Sequence, residues 1–177
     1  MWWHGLPARY DGERSPLPQI AAAHGLEARA TEDRIGPVDW LRRMMAIHVE
    51  TPLLLCRALA PRLRQTRGHV INMLDILAER PWPKYSAYCA SKAAMLNLTL
   101  SLARELAPEV TVNGIAPGVV QWPEGFAEDE RRAYLARVPL GRAGDARDVA
   151  NLVHFLVTDG AYITGQIIRV DGGRSLM

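Results

Sequence analysis

The amino-acid sequence predicts an α/β fold, a doubly wound parallel sheet of which three or four strands are visible. Two observations carry the prediction. Short continuous Val/Ile runs alternate with long stretches of helical periodicity, and Gly or Pro closes each stretch. Strands that read as unbroken apolar runs belong to parallel sheets covered on both faces. The chain has 177 residues, the length of a single domain able to bury a core.

The elements follow in order from Val38. Asp39 is expected to cap a long helix through Leu41, Met44, Met45, His48 and Leu53 to Leu63, bent locally by Pro52 and ended by Gly68. His69–Leu74 reads as a buried strand. A second long helix runs from about Ser86 to Ala107, where Pro108 stops it. The next strand is Glu109–Ile115, broken by Pro117-Gly118. Helical stretches follow at Glu128–Arg137 and Asp145–Thr158, and a last strand, Gln166–Val170, ends in Asp171-Gly172-Gly173. Residues 1–36 differ: they are rich in Pro, Gly, Ala and Arg, and only Gln19–Ala23 suggests a short strand. The expected division is an irregular segment over 1–36 and a catalytic part over 37–177.

Composition narrows the function. The chain is 49% hydrophobic and 23% charged, with net charge +2 and a pI of 8.7. Its arginines are scattered at helical spacing, which argues against a nucleic-acid partner. No apolar run nears the ~18–20 residues that span a bilayer, so no membrane partner is expected. Cys56 and Cys89 stand in unrelated contexts and fit a reducing cytoplasm, with no disulfide. The five histidines are dispersed, and no metal site is expected.

Tyr88 and Lys92 lie four apart in a strongly helical segment, so their side chains share a face. An ammonium beside a phenol favours phenolate and lowers its pKa from about 10, as a general acid/base requires. Taken alone, the pair equally suits an amphipathic helix with one snorkelling lysine.

The surrounding residues decide between these. Ala87-Tyr88-Cys89-Ala90-Ser91-Lys92-Ala93-Ala94 follows a strand ending Asn72-Met73-Leu74-Asp75. After it come Val112-Asn113-Gly114-Ile115-Ala116-Pro117-Gly118, Val138–Arg142, Tyr162–Gln166 and Val170–Gly173. In that order these segments resemble the short-chain dehydrogenase/reductases over about residues 38–174, which implies the C-terminal strands and helices of a Rossmann-like fold. The resemblance implies that Tyr88 is the proton donor and that Lys92 binds the nicotinamide ribose. It implies that Pro117, Gly118 and Val119 lie beside the nicotinamide. Tyr85 is the nearby competitor, but Cys89 stands four residues after it.

Thirteen residues before the tyrosine the family usually has a serine; here stands Asp75. A carboxylate accepts hydrogen bonds and cannot donate them. It repels a developing oxyanion and stabilises a protonated C=N group. Asp75 also suits a turn after a strand. Asp, Tyr and Lys in this order, with Arg80-Pro81 and the helix Met44–Pro52, resemble the pteridine reductases, including the bacterial dihydromonapterin reductases. That resemblance implies NADPH as cofactor and a pterin-like small-molecule substrate. His48 stands where the wider family has an asparagine; it suits a proton relay or a hydrogen-bonded core position. Trp122 stands near the place of a cofactor-binding threonine, and Trp122 and Phe126 either flank a flat pterin or anchor a loop.

A nicotinamide enzyme of this family should open with a strand and a glycine-rich turn into a helix. Gly5, Gly12, Gly25 and Gly36 are isolated. The expectation is that the adenine half of the fold is absent, through truncation or a misread start. Three functions compete: reduction of a dihydropterin, reduction of an ordinary carbonyl, and a catalytically silent oligomerising or binding module. By family resemblance the two long helices form a subunit interface. Met44, Leu53, Leu54, Leu55, Leu96, Leu98 and Leu100 are expected to supply it, giving a homodimer or homotetramer.

Overall fold

A computed structural model describes residues 38–122 and 125–177. The expected Gln19–Ala23 strand and the isolated glycines Gly5, Gly12, Gly25 and Gly36 lie outside the described residues.

Helix α1 (Val38–Met45) runs through a π-turn (Ala46–Glu50) directly into α2 (Thr51–Thr66). Strand β1 (His69–Met73) follows, then a 3-10 turn (Ile76–Ala78) and helix α3 (Ser86–Leu106). Strand β2 (Thr111–Pro117), helices α4 (Glu128–Leu135) and α5 (Ala146–Thr158), strand β3 (Ile167–Val170) and a 3-10 turn (Arg174–Leu176) complete the described fold. The three strands are parallel in the order β1-β2-β3, with Val70 opposite Val112 and Ile115 opposite Ile168.

One expectation at the first helix needs correcting. Asp39 lies inside α1 and binds Arg42 at 2.9 Å, one turn on, instead of capping from outside. Pro52 leaves a carbonyl of the preceding turn without its usual donor. A π-turn precedes it: the Thr51 backbone N–H reaches back five residues to the Ala46 carbonyl, and Thr51 Oγ1 donates to the same oxygen at 2.9 Å. Such one-turn widenings favour functional sites, and this one carries His48.

Both faces of the sheet are covered, as the sequence requires of a doubly wound fold. On one face Val70 and Val112 pack with Cys56 of α2 and Leu102, Ala103 and Leu106 of α3. On the other, Ile71 and Ile115 meet Val149 and Leu156 of α5. The alternation follows from the period-two geometry of strands. Gly114 permits the close packing on the α3 side, because a Cβ there would lie 2.5 Å from Leu74 Cδ1 and 2.8 Å from Ile167 Cδ1.

Candidate active site

Tyr88 and Lys92 stand on the buried face of α3, one turn apart, where the helix crosses the strand ends. Asp75 comes from the residues just beyond β1, whose path is extended when Leu74 N–H donates to the Ile115 carbonyl at 2.7 Å. The Asp75 carboxylate divides its two oxygens. Oδ1 accepts from the Leu77 N–H at 2.8 Å and caps the 3-10 turn; Oδ2 accepts from the Tyr88 hydroxyl at 2.8 Å. Turn closure and contact with the tyrosine are therefore one arrangement. The first fixes the carboxylate for the second.

Lys92 Nζ donates to the Met73 carbonyl at 2.9 Å and lies 5.7 Å from the centre of the Tyr88 ring. An ammonium carries three donors, so two remain for a ligand. Burial lowers the Lys92 pKa from 10.5 to about 8, against the opposing pull of the Asp75 carboxylate. Tyr88 moves the other way from the sequence expectation. Its pKa is raised well above 10, first by burial and then by the Asp75 charge and hydrogen bond. A carboxylate at contact and loss of water outweigh an ammonium 5.7 Å from the ring, so the hydroxyl stays protonated at neutral pH.

His48 is 7% exposed and its ring meets the Tyr88 ring edge-on at 5.6 Å. Ser91 Oγ donates to the Tyr88 carbonyl at 2.7 Å and sits 2.8 Å from His48 Nδ1. A hydroxyl has one proton, so the Nδ1 proton belongs to His48 and points at Ser91. The geometry thus gives His48 a hydrogen-bonded place in the core. Tyr85 packs its ring against Trp82 at 6.3 Å. Cys56 and Cys89 are free and buried, and burial pushes both thiols up.

Pro117, Gly118 and Val119 stand at the carboxyl end of β2, the side of an open α/β sheet where ligands bind. Gly118 is needed for close approach: a Cβ there would lie 3.0 Å from the Asp171 Cα. Val119 is less available than expected. Its N–H donates to the Tyr134 hydroxyl at 3.2 Å, and its carbonyl accepts from Gly144 N–H at 2.9 Å.

Trp122 and Phe126 do not flank a space for a flat ring. They stack on each other at 5.4 Å and 27°, with the Trp122 ring edge-on to Tyr134 at 5.5 Å. Stacking fills the gap and anchors the loop.

The donor set fits the nicotinamide end of a dinucleotide, with Lys92 and Tyr88 able to hold the ribose. Among the described residues there is no glycine-rich turn for the pyrophosphate, and no cluster of His, Cys, Asp or Glu able to hold a metal.

A family model described as enoyl-(acyl carrier protein) reductase matches residues 19–175. The chain belongs to the short-chain dehydrogenase/reductase family. Among curated relatives, the dihydromonapterin reductase of Klebsiella pneumoniae is 43% identical over 140 residues, covering 77% of the chain and 58% of that protein. That of Shigella sonnei is 40% identical over 168 residues, covering 92% and 69%. Two solved structures share the fold. An apo SCOR enzyme from Clostridium thermocellum has a TM-score of 0.69 and 34% identity, covering 77% of this chain and 54% of its own. The acetoin dehydrogenase of Enterobacter cloacae has a TM-score of 0.70 and 32% identity, covering 80% and 58%. The chain spans 58 to 69% of the length of these two curated relatives.

Some residues around the candidate site escaped the sequence reading. Ser91 lies inside the motif around Tyr88, and its place one residue before Lys92 on the buried face was the available signal. Asn72 and Thr99 are fully buried and joined by a 2.9 Å bond, yet one is in a strand and one in a helix, with nothing local to pair them. The interface expectation also changes. Met44 is 2% exposed, packed with Leu77, Tyr88 and Cys89, and Leu53, Leu96 and Leu98 pack against core clusters. Leu41, Leu54, Leu59 and Leu100 are the exposed leucines of these helices. No helix among the described residues is long and apolar enough to cross a membrane.

Proposed function

We propose that this chain carries the catalytic residues of an NADPH-dependent reductase acting on the C=N bond of a dihydropterin. The hydrogen bond from the Tyr88 hydroxyl to Asp75 Oδ2 carries the reading. It commits the tyrosine proton to a carboxylate, where a carbonyl reductase would offer that proton to an oxygen. A nitrogen gaining a proton is stabilised by the adjacent negative charge; an oxyanion is repelled. The names of the curated relatives support the substrate class.

A reduced nicotinamide, when bound, supplies the hydride. Lys92 holds the ribose through the donors that Met73 leaves free. Asp75 orients the pterin through its ring N–H groups. Tyr88, or a water held by Asp75, delivers the proton to the nitrogen. NADPH in preference to NADH follows from the resemblance to pteridine reductases. The exposed Leu54, Leu59 and Leu100 support a homodimer or homotetramer built on α2 and α3, and the two free thiols suit a reducing cytoplasm.

One observation favours the silent module: both backbone groups of Val119 are spent internally. NADPH-coupled turnover of a 7,8-dihydropterin and of a simple ketone, by the chain and by Asp75→Ser, separates the readings. The proposal expects pterin turnover to fall by about 100-fold in Asp75→Ser, roughly what loss of a preorganised electrostatic contact costs, and ketone turnover to fall less. The opposite ranking breaks the charge argument. A folded chain that neither binds NADPH nor turns over either substrate is the silent module.

A further inference from the structure

The carboxyl end of β2 is short of free backbone donors. Pro117 has no N–H. The Gly118 N–H donates to the Val170 carbonyl at 3.0 Å, and the Val119 N–H donates to the Tyr134 hydroxyl at 3.2 Å. A ligand arriving at this strand end with an acceptor oxygen therefore meets no open N–H from these three residues. What it can meet is the hydroxyl that took the last of them.

Tyr134 of α4 is 8% exposed, and its surroundings fix its ring. Trp82 and Trp122 pack edge-on to it at 6.0 and 5.5 Å, and the Arg174 guanidinium lies 5.3 Å from its centre. Gly118 leaves room for the hydroxyl, since a Cβ there would come 3.3 Å from the hydroxyl oxygen. A phenol both accepts and donates. The oxygen of Tyr134 accepts from Val119, but its proton has no acceptor among the described residues. Unused donors on buried side chains are uncommon. Burial raises the Tyr134 pKa from its ordinary 10, so the proton stays on the oxygen at neutral pH. An N–H donating into that oxygen also polarises the O–H and strengthens it as a donor.

We propose that Tyr134 is a cofactor-binding residue whose hydroxyl, while held by the Val119 N–H, donates its own proton to the carboxamide oxygen of the nicotinamide. The role rests on the reductase reading for the presence of that ring. The carboxamide is the polar substituent of the ring, and its oxygen requires a donor. Val119 then serves the ligand through the hydroxyl, with no hydrogen bond broken on binding. The internal use of its N–H ceases to argue for a silent module. The contrary reading is a latch, in which Tyr134 covers Val119 and must leave before a ligand can bind.

Calorimetric titration with NADPH, and with the reduced thionicotinamide analogue, separates these readings in the parent chain and in Tyr134→Phe. Sulfur is a weak acceptor, so the analogue lacks the contact on the ligand side. The phenylalanine keeps the ring among Trp82, Trp122 and Arg174, and thermal melts of the two chains should lie close together. NADPH is expected to bind about tenfold more weakly to Tyr134→Phe, near the upper loss for one neutral hydrogen bond. The parent is expected to prefer NADPH over the analogue by about tenfold, and the variant by a factor of about one. The preference of the parent needs no variant to be read. NADPH binding that is unchanged or tighter in Tyr134→Phe makes the hydroxyl a bystander or a latch and overturns the role. So does a variant that loses both nucleotides equally, or a parent indifferent to sulfur. Each of these leaves the reductase reading standing. A folded parent that binds neither nucleotide removes that reading and this role together.

Discussion

The two faces of the sheet bury different chemistry. The α5 face is closed by Ile71, Ile115, Val149 and Leu156, with Met73, Leu152 and Ile168 around them. Its buried Asn113 is spent on the neighbouring loop, donating to the Ile163 carbonyl at 2.7 Å and accepting from Gln166 N–H at 3.0 Å. The α3 face buries Asn72, Ser91, Lys92 and Thr99, with His48 reaching in from the π-turn. Asn72 Oδ1 there has no hydrogen-bond partner among the described residues. Buried polar groups cost free energy unless they are paired, and a buried charge costs more. One face is built as cheaply as an α/β sheet allows. The other carries a burden that packing alone never requires, and it carries it where Asp75, Tyr88 and Lys92 meet.

The largest expected effect tests whether that burden serves chemistry. Tyr88→Phe keeps the ring and its contact with His48 and removes the hydroxyl that donates to Asp75. Turnover of the dihydropterin is expected to fall about 1,000-fold, within the range for losing a general acid. That is about 4 kcal/mol of barrier. Thermal unfolding should move little. A variant that unfolds early while keeping its turnover would make the hydroxyl a structural group and end the comparison.

Next comes the opposite face. Leu156 is 1% exposed among Ile115 and Val149. Leu156→Ala is expected to cost about 3 kcal/mol of stability, the usual price of a core cavity. Below the melting transition, kcat should stay within about twofold of the parent. Denaturant unfolding with kinetics on the same samples checks both. A loss of kcat as deep as that of Tyr88→Phe would show that the two faces are not separable.

How much of this was legible in the sequence follows the same division. Apolar runs, Pro108 and the Pro117-Gly118 break placed β1, β2, α3 and α5 within a residue or two, because burial and helix termination are local facts. Asp75, Tyr88 and Lys92, which the structure brings together, were singled out by the resemblance of the motifs around them; the helical spacing of Tyr88 and Lys92 alone left a snorkelling lysine open. What failed depended on three-dimensional balance. The direction of the Tyr88 shift turns on burial and on a carboxylate 13 residues away. Spacing could not weigh those against the ammonium. The mutual stacking of Trp122 and Phe126 and the burial of Met44 are packing outcomes of the same kind. The π-turn before Pro52 was not legible either: the sequence marked only a bend there, and the five-residue reach of Thr51 to Ala46 has no local signal.

The smallest effect is the sharpest, because it opposes activity and stability within one side chain. Lys92 has a pKa of about 8 in the fold, lowered from 10.5 by burial. Below pH 8 it is charged in both folded and unfolded chains, and the fold bears the cost of burying the charge. Between pH 8 and 10.5 the unfolded chain binds more protons than the folded one, so the contribution of Lys92 to stability rises with pH. Activity runs the other way. As pH climbs through 8, Lys92 loses the charge proposed to hold the ribose, and kcat/KM is expected to fall by up to about tenfold per pH unit. Thermal melts from pH 7 to 9.5, beside pH-rate profiles, check the pair of trends, with Lys92→Met as reference. In that variant the pH-linked gain in stability should vanish. A parent protein whose activity and stability fell together above pH 8 would show that some other group titrates there, and that the buried ammonium is not what the α3 face is organised around.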